Sequence, residues 1–345
     1  MEPQIGPPSA DRGTPPQISS PERRDRNSRR PLSRLKPYAP FFALVALSLL
    51  IGAMNARFFE FNNLIRIANS AAIPLVLALG MTFVIVLGSI DLSVEGVLAI
   101  GAVLISLLVR NNSNTNDFGW FGVVLAILAC GAIGCANGAI HVGLRIPSFM
   151  VTLGMWFVGV GVATLLLGGS TVRVVDKGIR SLALERFLDF PIAVWIALGT
   201  LGITWIIERQ TRIGRYIYAI GGGEDLAALS GIPVRRVKII VFTIAGTLFG
   251  LGGLLSAAQL GLGNALIGSG RLFSTVTAVV VGGTALTGGE GGVINTLVGV
   301  MIMAVLGNGM VLLGISPDLQ LGVQGVLIIL AVALSLDRAR LKIVK

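Results

Sequence analysis

Charged residues are absent from ten long stretches of the chain, and apolar side chains dominate each of them. The stretches are 37–56, 67–90, 96–109, 118–144, 146–172, 190–207, 239–270, 272–289, 291–317 and 319–336. A helix that crosses a bilayer needs about 20 mostly apolar residues, with a lower limit of roughly 17. The stretch 96–109 alone falls short, and it lengthens if its helix begins at Ser93 with Glu95 in the first turn. The pattern predicts an all-α polytopic membrane protein with about ten transmembrane helices.

Positive charges are concentrated in three segments. Residues 1–36, 209–238 and 338–345 together hold 18 of the 27 Lys and Arg residues. Lys and Arg collect on the cytoplasmic side of membrane proteins, and an even number of spans places all three segments there. Both termini are therefore predicted to be cytoplasmic. Because topology explains the net charge of +10, no nucleic-acid partner is expected.

The same pattern divides the chain into a membrane domain and two tails. Residues 1–36 are rich in Pro, Arg and Ser and have almost no large apolar side chains. Such a segment cannot bury enough surface to fold, so a disordered basic tail is predicted there. The membrane domain covers 37–337, and 338–345 form a second basic tail.

Two glycine-rich segments interrupt the apolar pattern, GSIDLSVEG at 88–96 and GGTALTGGEGG at 282–292. Aligning Gly88 on Gly283 also aligns Glu95 with Glu290, which indicates a weak internal repeat. Transporters often carry such repeats, with broken helices beside the solute path. The residues expected at this helix break are Gly88, Asp91, Ser93, Glu95, Gly282, Gly283, Thr284 and Glu290.

Asp91 is the most informative residue of the first segment, since a carboxylate within a membrane requires a functional reason. Asp91 and Glu95 are four residues apart and share a helix face if the helix includes both. Ser93 is a candidate N-cap. Two interpretations stay open at this point. Asp91 and Ser93 cap a re-entering helix, or Asp91 contacts a solute or a gate directly.

The longest cytoplasmic connection is the loop 208–238. Three glycines at 221–223 precede the sequence EDLAAL, and Gly231 and Pro233 follow it. Glycine and proline at these positions end helices. The sequence therefore predicts a short helix over 224–230, acidic at its start, that serves as a docking element.

Residues for catalysis, cofactor binding or metal binding are not identified. The phosphate-binding pattern GxxxxGK[ST] does not occur in the chain, and His141 is its only histidine. Rows of buried acidic and basic residues for a proton relay are missing too. An intramembrane enzyme is disfavoured, and a pump built from this chain needs its motor from another protein.

Several short motifs, in order along residues 38–336, resemble the bacterial ABC-transporter permeases of the ribose, xylose and galactose type. They are GMTFVI at 80–85, IDLSV at 90–94, NG at 137–138, PSF at 147–149, TLG at 152–154, GGT at 282–284 and NG at 308–309. The loop 214–232 resembles the cytoplasmic loop of the same family.

The resemblance implies the translocation subunit of a sugar importer in the bacterial inner membrane. Its expected partners are separate ABC ATPase subunits, a periplasmic sugar-binding protein, membrane lipid and a second permease copy, in a homodimer or a paralogue heterodimer. The chain itself is expected to be no enzyme, while the partner ATPases use ATP and Mg. The residues that the resemblance assigns to coupling with the ATPase are Gly214, Arg215, Glu224, Asp225, Ala227, Ser230 and Gly231.

Some positions depart from the family pattern. Ser89 and Glu95 stand where glycine is usual, and the run RLFS at 271–274 replaces one with an aromatic residue, a Glu and a Leu. The last departure leaves the choice of solute open. A neutral, hydroxyl-rich monosaccharide or polyol is expected, and the alternatives are a permease for branched-chain amino acids and a stand-alone secondary transporter.

Overall fold

The computed structural model describes residues 38–335, so the two predicted tails, 1–36 and 338–345, lie outside the described residues. The chain is mostly helical. Its helices are α1 (Ala39–Met54), a 3₁₀ turn (Ala56–Phe59), α2 (Phe61–Val86), α3 (Val94–Leu108), α4 (Gly119–Leu144), α5 (Ser148–Leu167), α6 (Lys177–Leu184), α7 (Ile192–Gln210), α8 (Arg212–Gly222), α9 (Glu224–Leu229), α10 (Val234–Leu260), α11 (Arg271–Val281), α12 (Val293–Leu312) and α13 (Pro317–Ser335).

Every uncharged stretch of the sequence contains most of one helix, as its apolar composition predicts. Six of these helices, α2, α4, α5, α7, α10 and α12, are long and apolar enough to cross a membrane, while α1, α3 and α11 are apolar but shorter. Helix α11 has only 11 residues. At 1.5 Å per residue it extends about 16 Å, roughly half of the hydrocarbon core. The count of ten spans therefore stays a prediction.

Helices α2 and α10 form the centre of the bundle. In α2, 83% of the most apolar 18 residues are buried, against 22% in α5. The core groups Leu77 and Leu79 of α2 with Phe242 and Phe249 of α10, all fully buried. Helix α5 thus leaves most of its surface uncovered by this chain.

Two small antiparallel ladders close one end of the bundle. Strand β1 (Val172–Arg173) pairs with β4 (Leu262–Gly263), and β2 (Arg186–Phe187) pairs with β3 (Phe190–Pro191). The first ladder ties the segment after α5 to the segment after α10. The bundle end opposite these ladders carries α8 and α9.

The predicted loop 208–238 is mostly helical, which corrects its boundaries. Helix α7 continues to Gln210, α8 and α9 occupy most of the next twenty residues, and α10 begins at Val234. The short helix is present as α9, but it follows a second, amphipathic helix, α8, whose Ile217 and Ile220 are buried. Polar residues lie between these apolar positions, which explains why the charge pattern alone predicted a loop here.

Candidate functional site

The chain leaves helical geometry between α2 and α3, and side chains from α5 satisfy the freed backbone. The amide of Ile90 donates to Ser148 Oγ at 3.1 Å, and the amide of Leu92 donates to Thr152 Oγ1 at 2.9 Å. Irregular backbone at membrane depth is tolerated only where protein or a water-filled cavity covers it. Ser148 of the PSF motif and Thr152 of the TLG motif therefore both stabilise the backbone of the first break.

Asp91 is buried and turns toward its own chain. Its Oδ1 accepts hydrogen bonds from the amide of Ser93 at 2.8 Å and from Ser93 Oγ at 2.6 Å. Asn137 of α4 donates to Ser93 Oγ at 3.0 Å. Asp91 thus fixes the turn that precedes α3, and its bonds favour the structural interpretation over solute contact.

Two details of the sequence interpretation are corrected here. Ser93 occupies the N-cap position of α3, but its side chain makes no capping bond because the hydroxyl donates to Asp91. The helix begins at Val94, so Asp91 lies before it and shares no helix face with Glu95. Within the described residues, the second carboxylate oxygen of Asp91 has no hydrogen-bond partner.

Glu95 has a different task, because its carboxylate reaches the start of α11. Its Oε1 accepts a hydrogen bond from the amide of Leu272 at 2.9 Å, and both groups are buried. The first amides of a helix have no partner inside the helix, and a carboxylate there is favoured by the helix dipole. Glu95 therefore caps α11 across 177 residues of sequence.

Replacing Glu95 with alanine is expected to lower the free energy of unfolding by about 1–3 kcal/mol, because the Leu272 amide stays buried without an acceptor. Glu95→Gln keeps an acceptor oxygen and should lose less. Thermal unfolding of the purified chain in detergent measures both. Glu60→Ala is the matched control, since Glu60 is exposed and makes no side-chain capping bond. Equal melting of all three variants would contradict this assignment.

The second break, 282–292, lies between α11 and α12. Thr284 is buried, and its Oγ1 accepts from the amide of Gly292 at 3.3 Å. Gly282 is buried with no room for a Cβ beside Asn295, whereas Gly283 and Glu290 are exposed. The hydroxyl oxygens of Thr82 in α2 and Thr296 in α12 lie 2.5 Å apart. This hydrogen bond joins the helix before the first break to the helix after the second.

Glu208 holds the start of α12, and the sequence analysis did not single it out. Both carboxylate oxygens of Glu208 accept from the amide of Val293 at 3.3 Å. The hydroxyl of Tyr218 in α8 donates to Glu208 and lies 2.8 Å from the carbonyl oxygen of Gly291. Burial raises the pKa of Tyr218, and the bond to Glu208 raises it further, so the hydroxyl stays protonated.

The two breaks and the end of α8 meet at one place, the glycine junction, formed by Gly88, Gly221, Gly288 and Gly289. The amide of Gly289 donates to the carbonyl oxygen of Val86 at 2.8 Å. A Cβ on Gly221 would overlap that same carbonyl and lie 2.5 Å from the Gly289 amide nitrogen. A Cβ on Gly288 would lie 2.8 Å from the Cα of Gly88. Three segments that are distant in sequence thus contact one another through their backbone atoms.

Helix α9 follows the junction directly and presents its side chains outward. Leu226 and Leu229 are 71% and 85% exposed, while Ala227 is buried against the bundle. Glu224 pairs with Lys238 of α10 at 2.7 Å. Leu226 and Leu229 give this helix of six residues an exposed apolar surface. The sequence prediction did not single them out.

The other coupling residues lie around α8 and α9. Gly214 is buried, with no room for a Cβ beside the carbonyl oxygen of Glu208. Arg215, Asp225 and Ser230 are exposed, and exposed Gly231 has φ +79° after the end of α9. No described contact gives these residues a role, so their part in coupling stays a prediction.

A cavity of about 610 Å³ lies between α2, α11, α12 and α13. Each helix gives it one face: Arg66 and Ser70 from α2, Arg271 and Ser274 from α11, Asn308 from α12, and Gln320 and Gln324 from α13. Pockets for small molecules usually measure about 300–1,000 Å³. Hydroxyl and amide groups in this cavity suit a solute rich in hydroxyl groups.

The family model described as "Branched-chain amino acid transport system / permease component" matches residues 63–332. The chain belongs to that permease family. This permease is 37% identical over 295 residues to the ribose import permease protein RbsC of Escherichia coli strain K12, covering 84% of this chain and 90% of the relative.

Two further relatives of the permease are also named as sugar import permeases. RbsC of Bacillus subtilis strain 168 is 32% identical over 302 residues, with 87% of this chain and 92% of the relative covered. The galactose/methyl galactoside import permease protein MglC of Haemophilus influenzae is 31% identical over 325 residues, covering 89% and 96%. The resemblance to ribose-type permeases is confirmed. No solved structure matches this permease.

Proposed function

We propose that this chain is the translocation subunit of an ATP-driven importer for a monosaccharide or related polyol in the bacterial inner membrane. It has ten membrane segments with both termini in the cytoplasm, and two copies, identical or paralogous, enclose the path. Separate ATPase subunits supply the energy from ATP and Mg, and a periplasmic binding protein delivers the solute. The ribose and galactose import permeases among the relatives support the solute class.

The glycine junction is the observation that carries this proposal. It links α8, which runs directly into the exposed helix α9, to both broken segments. Movement of α9 by an ATPase therefore reaches both breaks through backbone contact. Cavity residues lie on the helices that continue from those breaks, α2, α11 and α12. Alternating access follows if the junction shifts these helices as a unit.

Uptake by the chain reconstituted in liposomes tests the mechanism. We expect no uptake of labelled ribose, galactose or galactonate by the chain alone, and ATP-dependent uptake of at least one of them once the ATPase and binding-protein subunits encoded beside it are added. ATP-independent uptake by the chain alone would instead establish a secondary transporter. The description of the family model also names branched-chain amino acids, so leucine uptake without sugar uptake would establish that alternative.

The exposed leucines of α9 give a second test. The double variant Leu226→Ser and Leu229→Ser is expected to lose about tenfold or more in ATPase affinity, since each exposed leucine contributes roughly 1.5–3 kcal/mol when buried in an interface. Co-purification of the ATPase with the permease measures this. The control is Leu266→Ser, a leucine 67% exposed at the opposite end of the bundle. Equal ATPase retention in both variants would remove α9 from the docking surface.

A further inference from the structure

The cavity between α2, α11, α12 and α13 is positively charged. Arg66 and Arg271 line it, and its lining includes no Asp or Glu among the described residues. Glu95 lines a separate, smaller cavity and is bonded to the Leu272 amide. The described lining of this cavity therefore carries two positive charges and no negative one.

Arg271 is the more informative of the two arginines. It is half-buried in the first turn of α11. Within residues 38–335 its guanidinium forms no ion pair, and the one ion pair described there joins Lys238 to Glu224. An ionisable side chain inside a membrane protein is costly and usually marks a substrate path, with a partner of opposite charge.

Arg66 strengthens this argument because it comes from a different helix. It lies one turn before Ser70 on the same face of α2, while Arg271 and Ser274 share a face of α11. The two arginines thus line the cavity from two different helices, together with hydroxyl and amide side chains. Arginine binds carboxylates through two parallel hydrogen bonds, which a neutral sugar cannot offer.

We propose that the solute of this permease is a hydroxylated anion, a sugar acid with one carboxylate, held by Arg271 with Arg66 nearby. The hydroxyl groups of the solute face Ser70, Asn308 and the two glutamines. This inference rests on the proposed function and replaces the neutral solute expected from the sequence with an acidic sugar derivative. It also gives a role to the RLFS run at 271–274, where the sequence departs from the family pattern.

Cysteine labelling in the full chain in lipid nanodiscs tests the charge of the cavity. Ser70 is exposed within the cavity, and Ser70→Cys is made together with Cys135→Ser, while the native Cys130 is buried. The probes are an anionic sulfonatoethyl and a cationic trimethylammonioethyl methanethiosulfonate. We expect the ratio of anionic to cationic labelling rates to exceed that of Ser113→Cys, on an exposed loop, by about tenfold. Equal ratios at both positions would overturn the proposal.

Protection by a solute tests the carboxylate specifically. D-Galactonate is expected to slow labelling of Ser70→Cys at concentrations at which D-galactose does not. Adding Arg271→Gln should weaken galactonate protection by about tenfold or more, the effect of losing one charge-assisted hydrogen bond. Arg271→Lys should lose less. Arg110→Gln, which removes an exposed arginine outside the cavity, should change nothing.

The outcomes separate this inference from the proposed function. Protection by galactose as strong as by galactonate, or galactonate protection that survives Arg271→Gln, overturns the anionic solute and leaves the sugar permease standing. Absence of protection by galactonate, with Arg271 paired to a carboxylate of a second copy, also overturns it. If the complete importer takes up none of ribose, galactose and galactonate with ATP, the proposed function fails as well.

Discussion

Replacement of Gly221 by alanine is expected to abolish ATP-driven uptake while the permease still inserts into the membrane. A Cβ at this position overlaps the carbonyl oxygen of Val86 and crowds the amide of Gly289. The clash breaks the hydrogen bond between Gly289 and Val86 and pushes α8 away from both breaks. Overpacking of this kind costs about 1–3 kcal/mol, a factor of roughly 5 to 150 in a conformational equilibrium.

Gly222 supplies the matched control, since it is the neighbouring glycine and a Cβ there meets no atom within 4 Å. Gly222→Ala is expected to transport normally. The measurement is ATP-dependent uptake by the complete importer, with ATP hydrolysis followed in parallel. Hydrolysis that continues without uptake in Gly221→Ala would show uncoupling. Normal uptake in Gly221→Ala would remove the glycine junction from the mechanism.

Loss of the Glu208 carboxylate should have the second large effect. Glu208→Ala leaves the buried amide of Val293 without an acceptor and removes the partner of Tyr218. We expect a loss of about 1–3 kcal/mol in the free energy of unfolding, and more if the Tyr218 hydroxyl also stays unpaired. Thermal unfolding in detergent and ATP-dependent uptake measure the effect, and both should fall together because α12 loses its anchored start.

Two further variants serve as comparisons for this prediction. Tyr218→Phe removes one hydroxyl and leaves Glu208 bonded to Val293, so it should cost only about 0.5–1.5 kcal/mol. Glu185→Ala removes an exposed carboxylate that follows α6 and should cost nothing measurable. If Glu208→Ala melts like Glu185→Ala, the carboxylate is not the anchor of α12.

The positions of the helices follow from the sequence because lipid excludes charge. Each uncharged stretch contains most of one helix for this reason, but its ends are set by other forces. Of the 18 residues in the stretch 272–289, only ten belong to α11, which begins at Arg271. The amide of Leu272, its second residue, is held by Glu95, and the helix ends at Gly282. Tertiary contacts of this kind leave no trace in hydropathy.

The site was harder to predict than the fold. The glycine motifs located both breaks, but the contact of Gly221 with Val86 joins residues 135 positions apart in one chain. Glu208 directly follows the uncharged stretch 190–207. An acidic residue at the end of a span was the sequence feature that could have indicated its role. Leu226 and Leu229 were missed because a helix of six residues is too short for its apolar spacing to reveal which face is covered.

The shortness of α11 bears on how the protein is made. A segment of 11 residues cannot cross the bilayer by itself, and lipid offers no partners for its backbone ends. Its capping carboxylate, Glu95, is synthesised much earlier, whereas α12, on which α11 packs, is synthesised afterwards. Helix α11 therefore enters the membrane late, as part of a bundle already in place. Ribosome-bound chains that end before α12 should leave α11 open to protease, and chains that include α12 should protect it.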